Sequence, residues 1–396
     1  MKKIKIAYYA DVKLDGNDGP AVNESEFLRN LYEYAKDDFL FITSMQNNLF
    51  CIQNNIKNVI YIQNFRFRFF LSFFISSLIN IKKIKHQKAD ILVCRLSDMP
   101  LIPFLYKLIY RREKLAIKTA AFWYIDQGKS KKLFSKIYQI VNNFITKKTY
   151  QLADIVDTAL PDSINSFVSH GIVCKDKIKV IDNGINVSKF CIRTDAVEIA
   201  FLKESFPILG FMGSYPSSRG AKQALEVAQR LKSFYPKVAV LILGYDDELE
   251  KLISFYKDYG ISIYAPGIVP YSSIEQYVQS MTIGFSFYES WTVSFHGNAS
   301  QKVRQYLACG KPVFSTHHNH GFLIDNDIGA IFKDDDYEMM AKEAIKWLER
   351  VKEEKILLEN RIRKYAVDNL SCEHTFAQRV ELYQNIVNHE KNDTTR

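Results

Sequence analysis

The chain has 396 residues, 47% hydrophobic and 24% charged, longer than a single α/β core usually needs and long enough for two domains of ordinary size. Its net charge of +9 is uneven: residues 60–150 hold 18 Lys and Arg against 4 Asp and Glu, an excess that favours an anionic surface. Six scattered cysteines with no C-x-x-C pair suggest neither a zinc site nor a disulfide framework, so a reducing cytosol is expected.

The opening MKKIKIAYYAD lacks the roughly 7–15 apolar residues of a secretory signal and reads as a first buried strand. Further strands are predicted at 39–43, 58–62, 91–94, 115–118, 155–158 and 179–181. Between most of them, apolar residues at three- and four-residue spacing predict helices at 24–36, 69–83, 101–110 and 131–150. The stretch from Phe69 to Ile81 is apolar but contains Ser72, Ser76, Ser77 and Asn80, and falls short of the roughly 20 residues that cross a bilayer. After Asp182-Asn183-Gly184, a hinge is expected within 185–200. The βα order then repeats: strands at 207–212, 238–243, 261–264, 283–287 and 312–315, helices at 221–234, 246–259, 272–280, 299–309 and 337–352, and a polar helical tail over 354–390. A doubled βα order predicts two parallel sheets.

Three turns carry chemistry. Gly16 and Gly19 lie between the first strand and a helix expected to begin near Asn23, where backbone N–H groups could face an anion; a purely structural turn explains them equally well. The second half repeats the geometry in the run from Ile208 to Gly220. There a buried strand ends at Gly213, and Arg219 with Gly220 opens the next helix, so the guanidinium can hold a diphosphate beside free helix N–H groups. The alternative is an exposed arginine in a turn. The run from Asn298 to Val313 reads as a helix with Lys302 and Gln305 on one face, Gly310 as its stop and Pro312 opening a buried strand. Its alternative is a solvated helix face.

The segment ACGKPV preceded by K-x-x-Q, VIDNGINVSKF at 180–190, GSYPSSRG at 213–220, Gly244 and the turn Pro266-Gly267-Ile268-Val269 together resemble the retaining family-4 glycosyltransferases of the GT-B fold, in the same order and over nearly the whole chain. The stretch Cys372 to Phe376 with Tyr383 resembles the closing helix of that family, which returns to the N-terminal domain. The resemblance implies an α/β fold of two Rossmann-like domains with the donor in a cleft between them. Residues 1–190 would bind the acceptor, residues 191–370 the nucleotide-sugar donor, and residues 371–396 would form the returning helix.

Residue by residue, Arg219 resembles the family's lysine or arginine on the donor diphosphate, and Lys302 resembles the basic residue of the subgroup with K-x-x-E-Y-x-A-x-G. Gln305 stands where the family has the second glutamate of its E-x7-E signature, on the donor ribose; it keeps an acceptor oxygen but loses the charge. Gly213, Ser214, Gly244, Gly267, Val269, Gly297 and Asn298 fall on the expected donor-binding turns. The sequence also departs from the family. Gly297 replaces the first glutamate, Ser214 replaces an arginine, and the histidine usual at a strand end is absent from Thr119 to Trp123. His296 either approaches the transferred sugar or is an ordinary loop histidine.

In such retaining enzymes the leaving phosphate is thought to accept the acceptor's proton on the same face, so catalysis falls on stabilising the diphosphate and orienting two sugars. No cofactor or metal is expected beyond a UDP- or GDP-type sugar. The expected activity is transfer of a hexose-type sugar to a glycan or lipid-linked acceptor. Two alternatives are a non-catalytic nucleotide-sugar binding module and a sugar-nucleotide epimerase of the same fold. On physical grounds alone, the aromatic and basic run over 65–85, with Arg66, Arg68, Lys82 and Lys83, suits docking on anionic lipid at the inner membrane face, or else is a core helix with a basic end. No nucleic-acid recognition motif accompanies the charge.

Overall fold

The computed structural model describes residues 3–16, 19–62, 70–96, 99–119, 133–193, 199, 202–213, 216–218, 220–288, 301–333 and 335–393. The chain divides into two compact units, Met1–Asn183 with Thr375–Arg396, and Gly184–His374.

In the first unit the strands are β1 (Ile6–Ala10), β2 (Phe39–Ser44), β3 (Val59–Ile62), β4 (Ile91–Arg95), β5 (Lys114–Thr119), β6 (Ile155–Thr158) and β7 (Ile178–Val180). They form one parallel sheet in the order β3-β2-β1-β4-β5-β6-β7. The helices are α1 (Gly19–Ala35), α2 (Asn48–Gln53), α3 (Phe70–His86), α4 (Leu101–Ile109), α5 (Leu133–Leu152) and α6 (Ser163–Ser169). Strand residues alternate between two cores, as a two-residue repeat requires. Ala7, Tyr9, Ile42 and Leu92 meet α3, α4 and α5, whereas Ile6, Tyr8, Phe41 and Val93 meet α1 and α2. The first helix starts at Gly19, ahead of the expected Asn23. Pro20 explains the difference, because its missing N–H costs nothing in a first turn.

The second unit holds β8 (Ile208–Met212), β9 (Ala239–Leu243), β10 (Ser262–Gly267), β11 (Ile283–Ser286), β12 (Val313–Ser315) and β13 (Gly329–Ile331), parallel in the order β10-β9-β8-β11-β12-β13. Its helices are α7 (Ala221–Leu231), α8 (Leu249–Lys257), α9 (Ile274–Ser280), α10 (Gln301–Ala308), α11 (Phe322–Asp325) and α12 (Tyr337–Leu370). Strand β13 and helices α2, α6 and α11 were not expected from the sequence, being too short for a periodic signal. The helix expected to end at 352 kinks instead at Glu354, where φ is −131° and ψ 31°, and continues to Leu370.

Residues 184–190, expected in the first domain, belong to the second unit. Ile185 exchanges backbone bonds with Leu370 and Cys372, and Phe190 is fully buried in the second core. Arg363 holds the same segment from α12, donating to the carbonyls of Val187 and Phe190 at 3.0 and 2.9 Å and to Ala308 at the end of α10 at 2.7 Å. A guanidinium with several donors suits that cluster of carbonyls.

The last helix, α13 (Cys372–Asp393), begins in the second unit and from Thr375 onward belongs to the first. Buried Asp157 of β6 accepts from Arg379 Nε at 3.1 Å and from the Tyr383 hydroxyl at 2.7 Å, and Arg379 also donates to Ile181 O at 2.9 Å. All six cysteines are free thiols.

Candidate functional site

In an open parallel sheet, ligands bind beyond the carboxyl ends of the strands where the strand order reverses. In the second unit that point lies between β8 and β11. Three expected donor-site glycines gather beside it. Gly213 follows β8, Gly244 follows β9 and Gly267 ends β10, with φ of 155°, 128° and 83°. Backbone bonds lock these turns together: Gly213 N–H donates to Leu243 O and Gly244 N–H to Gly267 O, each at 2.9 Å. Gly244 must be glycine twice over, because a Cβ there would lie 2.0 Å from Gly213 O. Val269, expected beside them, packs against the core.

Helix α7 opens beside this floor. Gly220 is its N-cap, without a side-chain cap, and a Cβ on Gly220 would meet Phe211 and Phe287 at 2.8 and 2.9 Å. The close approach brings the positive end of the helix, with its first N–H groups, to the ends of β8 and β11. Asp246 holds the preceding turn by accepting from Ser217 N–H at 2.8 Å.

Lys302, in the first turn of α10, reaches the same point. Its ammonium lies 4.7 Å from the ring centre of Phe211 on β8 and 4.6 Å from that of Tyr288 just past β11. It also stands 3.9 Å from the position a Gly213 Cβ would take. Gln305, one turn on, is buried, and among the described residues its side-chain amide makes no hydrogen bond. A cation and a helix N-terminus therefore border one space. The arrangement can hold a phosphate-bearing ligand.

A histidine cluster after β12 borders the same edge and was missed in the sequence, where three of the eight histidines fall within His317-His318-Asn319-His320. Thr316 accepts from Tyr288 N–H at 2.7 Å and His317 meets the Tyr288 ring edge-on. His320 is fully buried, its Nδ1 2.6 Å from Ser315 Oγ. Burial, then the neighbouring His317, Arg304, Lys302 and His318, push its pKa well below the ordinary histidine value, so the ring is neutral.

Gly16 and Gly19 belong to the first unit, at the carboxyl end of β1, where Asn47 laces the loop by accepting from Leu14 N–H and donating to Val12 O at 3.0 and 2.8 Å. At the same edge of that sheet, buried Glu24 lies 2.9 Å from Lys118 and 3.7 Å from Arg95, an ion cluster not foreseen from the sequence. Burial lowers the Lys118 pKa against the opposing pull of Glu24. Lys82 and Lys83 are exposed in the last turns of α3. Ser214, Arg219, His296, Gly297, Asn298, Arg66 and Arg68 lie outside the described residues.

The family description "Glycosyl transferases group 1" matches residues 193–366, a span that contains the glycine floor, Lys302 and Gln305. An uncharacterized glycosyltransferase of Methanocaldococcus jannaschii is 23% identical, covering 98% of this chain and all of that protein. Anabaena HepE, solved in complex with UDP, superposes with a TM-score of 0.71 at 14% identity over 96% of this chain and all of HepE. It was also solved with UDP-glucose. A UDP-N-acetylglucosamine 2-epimerase superposes less closely, with a TM-score of 0.56 at 12% identity over 96% of this chain and 95% of its own. Two Rossmann-like parallel units and the match over 193–366 make this chain a glycosyltransferase of the GT-B fold.

Proposed function

We propose that the protein is a retaining, metal-independent transferase that moves a hexose-type sugar from a UDP or GDP sugar to a glycan or lipid-linked acceptor, working in the cytoplasm at the inner face of an anionic membrane. The observation that carries the reading is the position of Lys302, whose ammonium stands beside Gly213 past the paired ends of β8 and β11. A fixed cation beside a helix N-terminus stabilises the charge that grows on a departing nucleoside diphosphate, and needs no reorganisation as the bond breaks. Gln305 offers an unused amide for the ribose hydroxyls. The UDP and UDP-glucose bound by HepE support a uridine donor. The Glu24, Lys118 and Arg95 cluster of the first unit, with one carboxylate oxygen of Glu24 lacking a hydrogen-bond partner among the described residues, supports recognition of acceptor hydroxyls.

The experiment is donor turnover by wild type and Lys302→Ala across UDP and GDP sugars. One lost charge-stabilising donor corresponds to roughly 3 kcal/mol, so kcat/KM should fall about 100-fold while the unfolding temperature stays close to that of wild type. An unchanged kcat/KM removes the role of Lys302. Nucleotide binding without any turnover by wild type would favour the binding-module reading.

A further inference from the structure

Helices α3, α4 and α5 form one layer on the first sheet, with α4 packed between the other two. Their inner sides fill a core, and their outer sides are unusual. Along α3, Leu71, Ile75 and Ile79 recur every fourth residue and are all exposed, Leu71 to 70%. Along α5, Ile137, Ile140 and Phe144 recur at three- and four-residue spacing, Ile140 exposed to 68% and Phe144 to 57%. Each set forms one stripe down a helix, on the side away from the core. Between them α4 exposes Leu108 and Ile109.

No Asp or Glu occurs anywhere in these three helices, whereas α1 on the opposite face of the sheet carries Glu24, Glu26 and Glu33. The three helices connect successive parallel strands and therefore run in one direction, so their C-terminal ends share an edge. There Lys82 and Lys83 after the α3 stripe, Arg111 and Arg112 after α4, and Lys147 and Lys148 on α5 are all exposed. Cations at helix C-termini complement the helix dipole, which accounts for part of this edge. The dipole does not account for three helices without a carboxylate, nor for leucine, isoleucine and phenylalanine left in water.

We propose that this layer is a docking face for an anionic lipid bilayer, with the apolar stripes entering the headgroup region and the basic edge meeting lipid phosphates and carboxylates. Charge selects this occupant. A second copy of the chain on the same face would set lysine and arginine edges among themselves, whereas an anionic bilayer neutralises them. Among the described residues no helix is long and apolar enough to cross a membrane, so the contact is with its surface. The inference rests on the reading of an acceptor presented at a membrane, and places that acceptor's membrane against one named face of the first unit.

The test is co-sedimentation with vesicles of phosphatidylglycerol and phosphatidylcholine, or phosphatidylcholine alone, at low and high salt, without donor or acceptor. Its failure therefore leaves the transferase assignment to be judged separately by donor turnover. Wild type should bind the anionic vesicles and lose that binding as salt shortens the Debye length from about 10 Å at 0.1 M to about 3 Å at 1 M. Changing Lys82, Lys83, Lys147 and Lys148 to Gln should lower partitioning at least about tenfold. Leu71→Gln with Ile140→Gln and Phe144→Gln should also lower it. These positions are exposed, and unchanged unfolding temperatures verify that the variants fold. Equal binding to both vesicle types, wild-type binding by both variants, or a dimer that the apolar variant dissociates would overturn the proposal.

Discussion

His320 illustrates how one residue's surroundings change its chemistry. Its ring is sealed beside Ser315 and two cations, and its pKa lies well below the usual 6.5. In the unfolded chain the imidazole regains its ordinary affinity and binds a proton that the folded chain refuses. Stability contributed by the neutral ring is therefore complete above the unfolded value and is lost as pH falls below it. Unfolding temperatures measured from about pH 8 to about pH 5 should drop more for wild type than for His320→Gln. Equal drops would show that the buried ring does not carry the pH dependence. The neutrality of His320 also bears on the proposed donor site, since a positively charged ring there would repel the Lys302 ammonium.

At the scale of elements, the glycine floor is what lets three adjacent βα turns close on one another. Gly244 combines a left-handed backbone with an approach to Gly213 O that leaves no room for a methyl group. Gly244→Ala should destabilise the second unit by roughly 1–3 kcal/mol through backbone strain alone. Because Gly213 must shift to make room, nucleotide affinity should fall as well. Denaturant midpoints and titration with UDP measure the two effects. Wild-type affinity in a folded Gly244→Ala protein would separate the floor from the ligand.

For the whole molecule, the decisive contact is the return of α13 to the first unit. Asp157 and Arg379 are both buried, so removing one leaves the other uncompensated away from water. Asp157→Ala should cost roughly 3–5 kcal/mol. Tyr383→Phe, which removes one hydrogen bond to a charged acceptor, should cost about 1.5–3 kcal/mol. Urea unfolding of the two variants tests the order. If Asp157→Ala is no less stable than Tyr383→Phe, the ion pair is not what fastens the helix.

Much of this was legible in the residues themselves. Runs such as Ile91–Cys94 and Ala239–Leu243 announce buried parallel strands, because a strand covered on both faces needs apolar residues without interruption. Lys302 and Gln305 could be placed on one helix face because three residues nearly complete a turn. What sequence spacing cannot express is proximity between distant segments. Asp157 meets Arg379 and Tyr383 only because α13 leaves the second unit and packs on the first. The histidines after β12 reach the site only because β11 and β12 pair in register and set Thr316 against Tyr288. The acid-free layer of α3, α4 and α5 likewise exists only once right-handed crossovers put those helices side by side on one face of the sheet. Local periodicity is written in neighbouring residues, whereas the charge pairs, the glycine floor and the apolar face arise from contacts that the tertiary fold alone creates.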